Sequence, residues 1–358
     1  MRLIILTSLV VLAACAPPKP PPATVTITAV ADTVVASVVS IGNAVPLSDG
    51  RWAALALEEG RVELVDFAKH RADPFPGITK AEVPDPTVLL SVGDTIILGD
   101  WGLRRFTAWT VTGGRLAAWP VPDALRGAFP RARDAAGQWY FAVSPPAKPD
   151  GSTLLDSAAI VRSDAQLTRF DTLGRLAPPD LASVDAGSGP RFQRRALSGE
   201  DNWGVAPDGT LWIARVFQNQ LEWHPPRGKV AQSAQLPDMV LPITPMDRQI
   251  FVRRFPEDQR DAAAQIPFEA IKPPFERVFQ APDGRMWLFK SDTALAATRT
   301  VQIVDQRDGL LMYLKIPTRG SALGLDANYI VMGEEFPGGI RILRFPVPPE
   351  AKARAGAP

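Results

Sequence analysis

Apolar residues along this chain come in short bursts rather than in helical stripes. The two clearest bursts follow nearly identical turns: "APDGTLWIAR", beginning at Ala206, and "APDGRMWLFK", beginning at Ala281. Asp-Gly tolerates the positive φ of a tight hairpin turn, and the residues after it, Leu211-Trp212-Ile213 and Met286-Trp287-Leu288, suit a buried strand. Each stretch therefore predicts a strand, a turn and a second strand.

Weaker copies surround Gly50 ("PLSDGRWAALAL"), Gly93 ("LSVGDTIILGD"), Gly137 ("RDAAGQWYFAV") and Asn328 ("GLDANYIVMGEE"), which makes six. Marked at Asp49, Gly93, Gly137, Asp208, Asp283 and Asp326, their spacings are 44, 44, 71, 75 and 43 residues. Periods of roughly 40–50 residues with four strands each are the signature of propeller blades. A third strand is read from alternation in "RVELVDF", "QLEWH" and "TVQIVDQ". A second turn is read at Gly113-Gly114, Gly174, Gly228 and Gly309. The fourth strand ends at an apolar-Pro pair, Val121-Pro122, Leu236-Pro237 or Ile316-Pro317, with Val83-Pro84 marking the same place in the first unit. Proline lacks the ladder donor and suits an outermost strand. The last copy runs out before its fourth strand, whereas "TVTITAV" at Thr24 alternates without a partner. That segment is expected to enter the C-terminal blade and close the ring, which removes open sheet edges.

Two spacings are stretched. From Met239 to Arg277 there is neither Gly nor Trp, and Thr244-Pro245 has the form of an N-cap followed by Pro at the first helical position, with Ile250, Phe251 and Arg254 on one side. A helical insertion is expected there. The other gap holds "SPPAKPDGSTLLDSA" and "PPDLASVDAGSGPRF", both loop-like in composition. The expected fold is all-β: a six-bladed β-propeller over residues 24–349, with a seven-bladed ring as the alternative. It is closed by an N-terminal strand and carries one helical insertion, 239–277, between blades four and five. Residues 350–358 read as a disordered tail.

The "PDGxxW" hairpins, the "V-x-I-V-D" type of strand that follows, and "KPPFERVFQAPDGRMWL", in which a Pro pair leads into a blade, resemble the six-bladed propellers of the TolB-like and NHL-like type found in bacterial lipoproteins. The likeness covers most of the chain but is one of repeats, not a catalytic signature. It implies the fold, and such propellers host binding scaffolds as well as enzymes.

The first residues suggest a compartment. "MRLIILTSLVVLAAC" places one early cation before an apolar core and small residues, the layout of a signal peptide over residues 1–14. Its apolar run of about 12 residues falls short of the roughly 20 a spanning helix needs. Leu12-Ala13-Ala14-Cys15 resembles the bacterial lipobox, and Cys15 is the sole cysteine, so Cys15 is the expected lipid attachment and the bilayer an expected partner. Residues 15–23, "CAPPKPPPA", then form a Pro-rich, extended tether. Ala16 after the cysteine, rather than Asp, favours the outer membrane if the source is Gram-negative. Lys and Arg (39) nearly balance Asp and Glu (38), which argues against a nucleic-acid partner.

Chemistry is sparse. The two histidines, His70 and His224, have no G-x-S-x-G elbow nearby, and "APDGTLW" offers one Asp where a calcium loop needs several oxygens. That Asp is better explained as bonding its own turn. No catalytic residue, metal ligand or cofactor is assigned. Residues just before the inner strands or at the ends of the second strands should face the central channel: Asn43, Asp100, Arg131, Asn202, Arg215, Glu276, Lys290 and Arg319, with Trp101 as the aromatic of a ligand face. Four cations, two carboxylates and two amides suit a polar or anionic ligand better than a divalent metal, or else satisfy one another around a water-filled channel. "RFQRR" (Arg191, Arg194, Arg195) is a solvated loop or a docking point for carboxylate or phosphate. The expected function is a membrane-anchored, exported binding or protein-interaction module of the cell envelope, taking an envelope protein or a small polar or anionic ligand. The alternative is a propeller enzyme, a metal-dependent lactonase or lyase, acting at the central channel.

Overall fold

Each of the six glycine- or asparagine-bearing turns joins the first and second strands of a blade. In four of them the Asp carboxylate accepts a hydrogen bond from the backbone N–H two residues on: Asp49 from Arg51 (3.0 Å), Asp208 from Thr210 (2.8 Å), Asp283 from Arg285 (3.0 Å) and Asp326 from Asn328 (2.7 Å). Gly50, Gly209 and Gly284 follow with φ of 83°, 85° and 86°, the left-handed conformation that a three-residue hairpin loop requires. The Asp-Gly doublet is scaffold.

The computed structural model describes residues 21–146, 156–185 and 190–352. Cys15, the residues expected to form a signal peptide and residues 353–358 of the expected tail lie outside them. Blade I comprises Ala44–Pro46, Trp52–Ala56, Arg61–Asp66 and Arg71–Pro74; blade II comprises Pro86–Val92, Thr95–Asp100, Arg105–Thr110 and Arg115–Pro120. Blade III comprises Pro130–Arg133, Trp139–Val143, Ala159–Ser163 and Phe170–Arg175; blade IV comprises Asn202–Val205, Leu211–Arg215, Gln220–His224 and Ala231–Gln232. Blade V is built from Phe275–Gln280, Met286–Lys290, Arg299–Asp305 and Gly309–Ile316. Blade VI is built from Ser321–Leu325, Tyr329–Phe336, Gly339–Pro346 and, from the other end of the chain, Asp32–Ala36. The fold is a six-bladed propeller, and among the described residues no seventh blade occupies the stretched spacings.

The six first strands neighbour one another in a closed circle around the axis. Where blade VI meets blade I the approach is tight: a Cβ on Gly324 would lie 2.3 Å from the Ala44 carbonyl oxygen. One apolar core fills each gap between adjacent blades. Trp287, Phe289, Ile330 and Met332 sit between V and VI, Trp52, Val65, Val331 and Ile342 between VI and I, and Leu55, Val62, Ile96 and Leu98 between I and II. Phe106, Trp139 and Phe141 fill the gap between II and III, Ile160, Leu211 and Ile213 that between III and IV, and Trp223, Phe275 and Leu288 that between IV and V. A blade is thus covered on both faces, and its second strand reads as a continuous apolar run rather than an alternating one.

Four expectations need correcting. First, the strand that closes the ring is Asp32–Ala36, not "TVTITAV". Ala23–Thr26 instead adds a fifth strand, parallel to the outer strand of blade V. Only Asp32–Ala36 offers two side chains to the core between VI and I, the buried Val34 and Ala36. Asp32 also pairs with Arg344, whose guanidinium lies over the rings of Phe67 and Tyr329. Second, "PPDLASVDAGSGPRF" contains a two-stranded hairpin, Leu181–Asp185 with Pro190–Arg194, because β-branched and aromatic residues flank its central glycines. Third, Gly174 lies within the fourth strand of blade III, opposite Ile160, and the turn before it uses Ser163–Phe170. Fourth, the fourth strand of blade I ends at Pro74, so Val83-Pro84 precedes blade II rather than ending blade I.

The helical insertion is present between blades IV and V. Helix α1, Pro245–Arg253, starts with a capping box in which the Thr244 side chain and Asp247 satisfy each other's backbone N–H groups, and helix α2 spans Arg260–Ala264. Phe251 packs on Phe255 and Phe268 at ring separations of 5.3 Å. The insertion returns to the ring by Phe275, where blade V begins.

Candidate binding site at the channel mouth

In each blade the first strand begins, and the second ends, on one face of the ring. On that face a cavity of about 720 Å³ opens around the axis. Its wall takes Asn43 from the approach to blade I, Arg131 from blade III, Asn202 from blade IV and Glu276 from blade V, four of the residues expected there. Two amides are engaged in joining blades: Asn43 Nδ2 donates to the Leu89 carbonyl of blade II (3.0 Å), and Asn202 Oδ1 accepts from the Val278 N–H of blade V (3.2 Å).

A β-bulge recurs near the start of the first strand, between Pro86 and Val88, Pro130 and Ala132, and Phe275 and Arg277. The extra residue of each bulge is Thr87, Arg131 or Glu276, and all three line the cavity. The bulge in blade V also brings Arg277 to the wall, a residue that strict alternation does not single out. Arg277 Nη2 reaches the Gly42 carbonyl at the edge of blade I (2.7 Å). Burial lowers the Arg277 pKa, and the Arg131 charge lowers it further, against a weaker opposing pull from Glu276. Among the described residues no carboxylate forms an ion pair with Arg131 or Arg277.

The carboxylates on the same wall face other cations. Glu200 pairs with Arg194 (3.0 Å), Asp201 with Arg215 (2.8 Å) and Glu276 with Arg299 (3.7 Å); Asp156 also lies on the wall. Apolar surface from Leu55, Leu89, Trp203 and Phe279 completes it.

The remaining sequence candidates lie elsewhere. Arg215 is held between Asp201 and Glu222, both at 2.8 Å, and also donates to the Arg175 carbonyl. Lys290 is buried against Asp238 at 2.6 Å, and burial lowers its pKa. Asp100 is fully buried and accepts from the Leu103 N–H (2.9 Å), holding the turn after its strand. Trp101 in that turn is 59% exposed and meets Phe129 edge-on. Arg319 is exposed on the connection between V and VI, with its backbone N–H bonded to Glu334 (3.0 Å). In the basic cluster Arg194 and Arg195 are engaged, Arg195 with Asp180 (3.4 Å) and Glu269 (3.9 Å). His224 Nε2 lies 3.2 Å from Glu222. Among the described residues no three His, Cys, Asp or Glu side chains gather as a metal site.

No family model matches this chain, and no curated protein matches it. Solved structures share its architecture. A member of the DUF4221 family from Bacteroides vulgatus superposes with a TM-score of 0.52 at 7% identity, covering 89% of this chain and 97% of the other. A gluconolactonase from Xanthomonas campestris gives a TM-score of 0.49 at 13% identity over 88% of each chain, and a streptogramin B lyase 0.41 at 13% over 88% of each. At 7% identity, what the first of these shares with this chain is the fold alone.

Proposed function

We propose that this protein is an exported, lipid-anchored propeller that serves as a binding module of the cell envelope and works through its channel-mouth face. One observation carries the proposal. Large exposed apolar residues lie on the mouth-side connections of blades IV and V: Phe217 and Leu295 in the turns after the second strands, and Met239, Val240, Met246 and Ile271 between the two blades. Four of the six belong to the insertion, the element that makes this ring unlike a plain repeat. Single exposed apolar residues are ordinary on a protein surface, whereas several carried by one inserted element on the mouth face favour an interaction surface there. Tethering through Cys15 by a Pro-rich spacer would hold the ring off the bilayer and leave the mouth free to meet a partner.

Two experiments in intact cells test this. Cys15→Ser should abolish lipid labelling and release the protein from membranes; unchanged retention would contradict the anchor. A photoreactive side chain at Met239 should give a discrete crosslinked species, and one at Val230, on the opposite face, should not. Equal yields from both positions, or none from Met239, would contradict an envelope partner at the mouth face.

A further inference from the structure

We infer that the channel mouth is a site for a small oxyanion, a carboxylate or phosphate group held between Arg131 of blade III and Arg277 of blade V. The inference rests on the mouth face being the binding surface and names the chemistry it would take.

The two guanidinium groups share one cavity and repel each other. Arg277 is drawn away from water, and its one hydrogen bond among the described residues goes to the neutral Gly42 carbonyl. A guanidinium has five N–H donors, so most of its hydrogen-bonding capacity is unused. Taking a charge out of water without a counter-charge is costly, and a second like charge adds to the cost. The wall supplies little compensation, because Glu200, Asp201 and Glu276 each pair with Arg194, Arg215 or Arg299. An anion between Arg131 and Arg277 would turn the repulsion into two attractions. The planar fork of arginine matches two oxygens of a carboxylate or phosphate. Both positions also depend on bulges, which give up regular ladder pairing where the side chains must face inward. The apolar wall beside them fits a ligand with a hydrocarbon body behind its charged head.

Calorimetric titration of the detergent-purified full-length chain with succinate and, separately, with inorganic phosphate tests this, with sodium chloride of equal ionic strength as reference. Saturable binding of at least one is expected, weakened about tenfold by Arg131→Gln and by Arg277→Met, since a hydrogen bond to a charged group contributes about that factor. Arg131 is exposed, so Arg131→Gln keeps its fold and decides the matter even where Arg277→Met lowers stability. Succinate alone binding assigns a carboxylate; phosphate alone assigns a phosphate. Saturable binding of neither, or undiminished binding by Arg131→Gln, would overturn the inference. Absent anion binding with the crosslink at Met239 intact would overturn this inference alone, and the reverse pattern would overturn only the envelope role.

Discussion

Arg215 and Arg277 carry the same charge on neighbouring blades and do opposite work. Arg215 is held between Asp201 and Glu222, and the Asp201 side chain is wholly enclosed. Arg215→Met is therefore expected to destabilise the fold by about 2–3 kcal/mol, because it leaves a buried carboxylate without its cation. Chemical denaturation checks this; a loss near zero would contradict the structural role. The turn aspartates were legible in the sequence because a turn's requirements lie within a few residues, as Asp208 and Asp283 illustrate. Channel residues were legible only in part. Arg215 and Lys290 occupy strand ends that alternation points inward, yet Asp201, across the hairpin, and Asp238, in the connection before blade V, claim them. Arg277 was missed because a bulge shifts the side-chain period by one, and bulges leave no mark in the apolar pattern.

Two inserted elements are stapled to each other beside blade IV. Ala196, after the hairpin, donates to the Pro267 carbonyl (2.7 Å), and Glu269, after α2, donates to Ala196 (3.2 Å). Asp180, Glu269 and Arg195 meet at this junction. Burial, with the Glu269 hydrogen bond and charge, pushes the Asp180 carboxyl up to about 6, while the same hydrogen bond holds Glu269 below its ordinary value. A carboxyl raised in the folded state stabilises it below the ordinary carboxylate range and loses that contribution as pH rises through about 6. Amide exchange at Ala196 and Glu269, corrected for intrinsic rates, is expected to accelerate as pH rises through about 6, and Asp180→Asn should remove the step. Protection independent of pH would contradict it. Helix α1 was legible because Thr244 and Pro245 mark its start locally. The closing strand was misassigned because alternation identifies a strand but not its partner. What favours Asp32–Ala36 is the burial of Val34 and Ala36 against blade VI together with the pairing of Asp32 with Arg344, contacts between opposite ends of the chain.

At the scale of the whole molecule, six interblade cores make a rigid ring, and that ring carries two unlike faces. The turns between third and fourth strands cap one side. The mouth side holds the bulged strand starts, Arg131 and Arg277, neither in an ion pair among the described residues, and the exposed apolar residues of the insertion. Rigid scaffolds carrying variable connections at one end are a common arrangement for binding, and here charge and apolar surface fall on the same end. The most direct measurement is hydrogen–deuterium exchange of the full-length protein in isolated envelopes against the same protein purified in detergent. Slower exchange in the envelope at the mouth-face segments around Phe217, Met239 and Arg277 is the expected result; equal exchange there, or slowing confined to the opposite turns around Gly113, Gly228 and Gly309, would contradict the account.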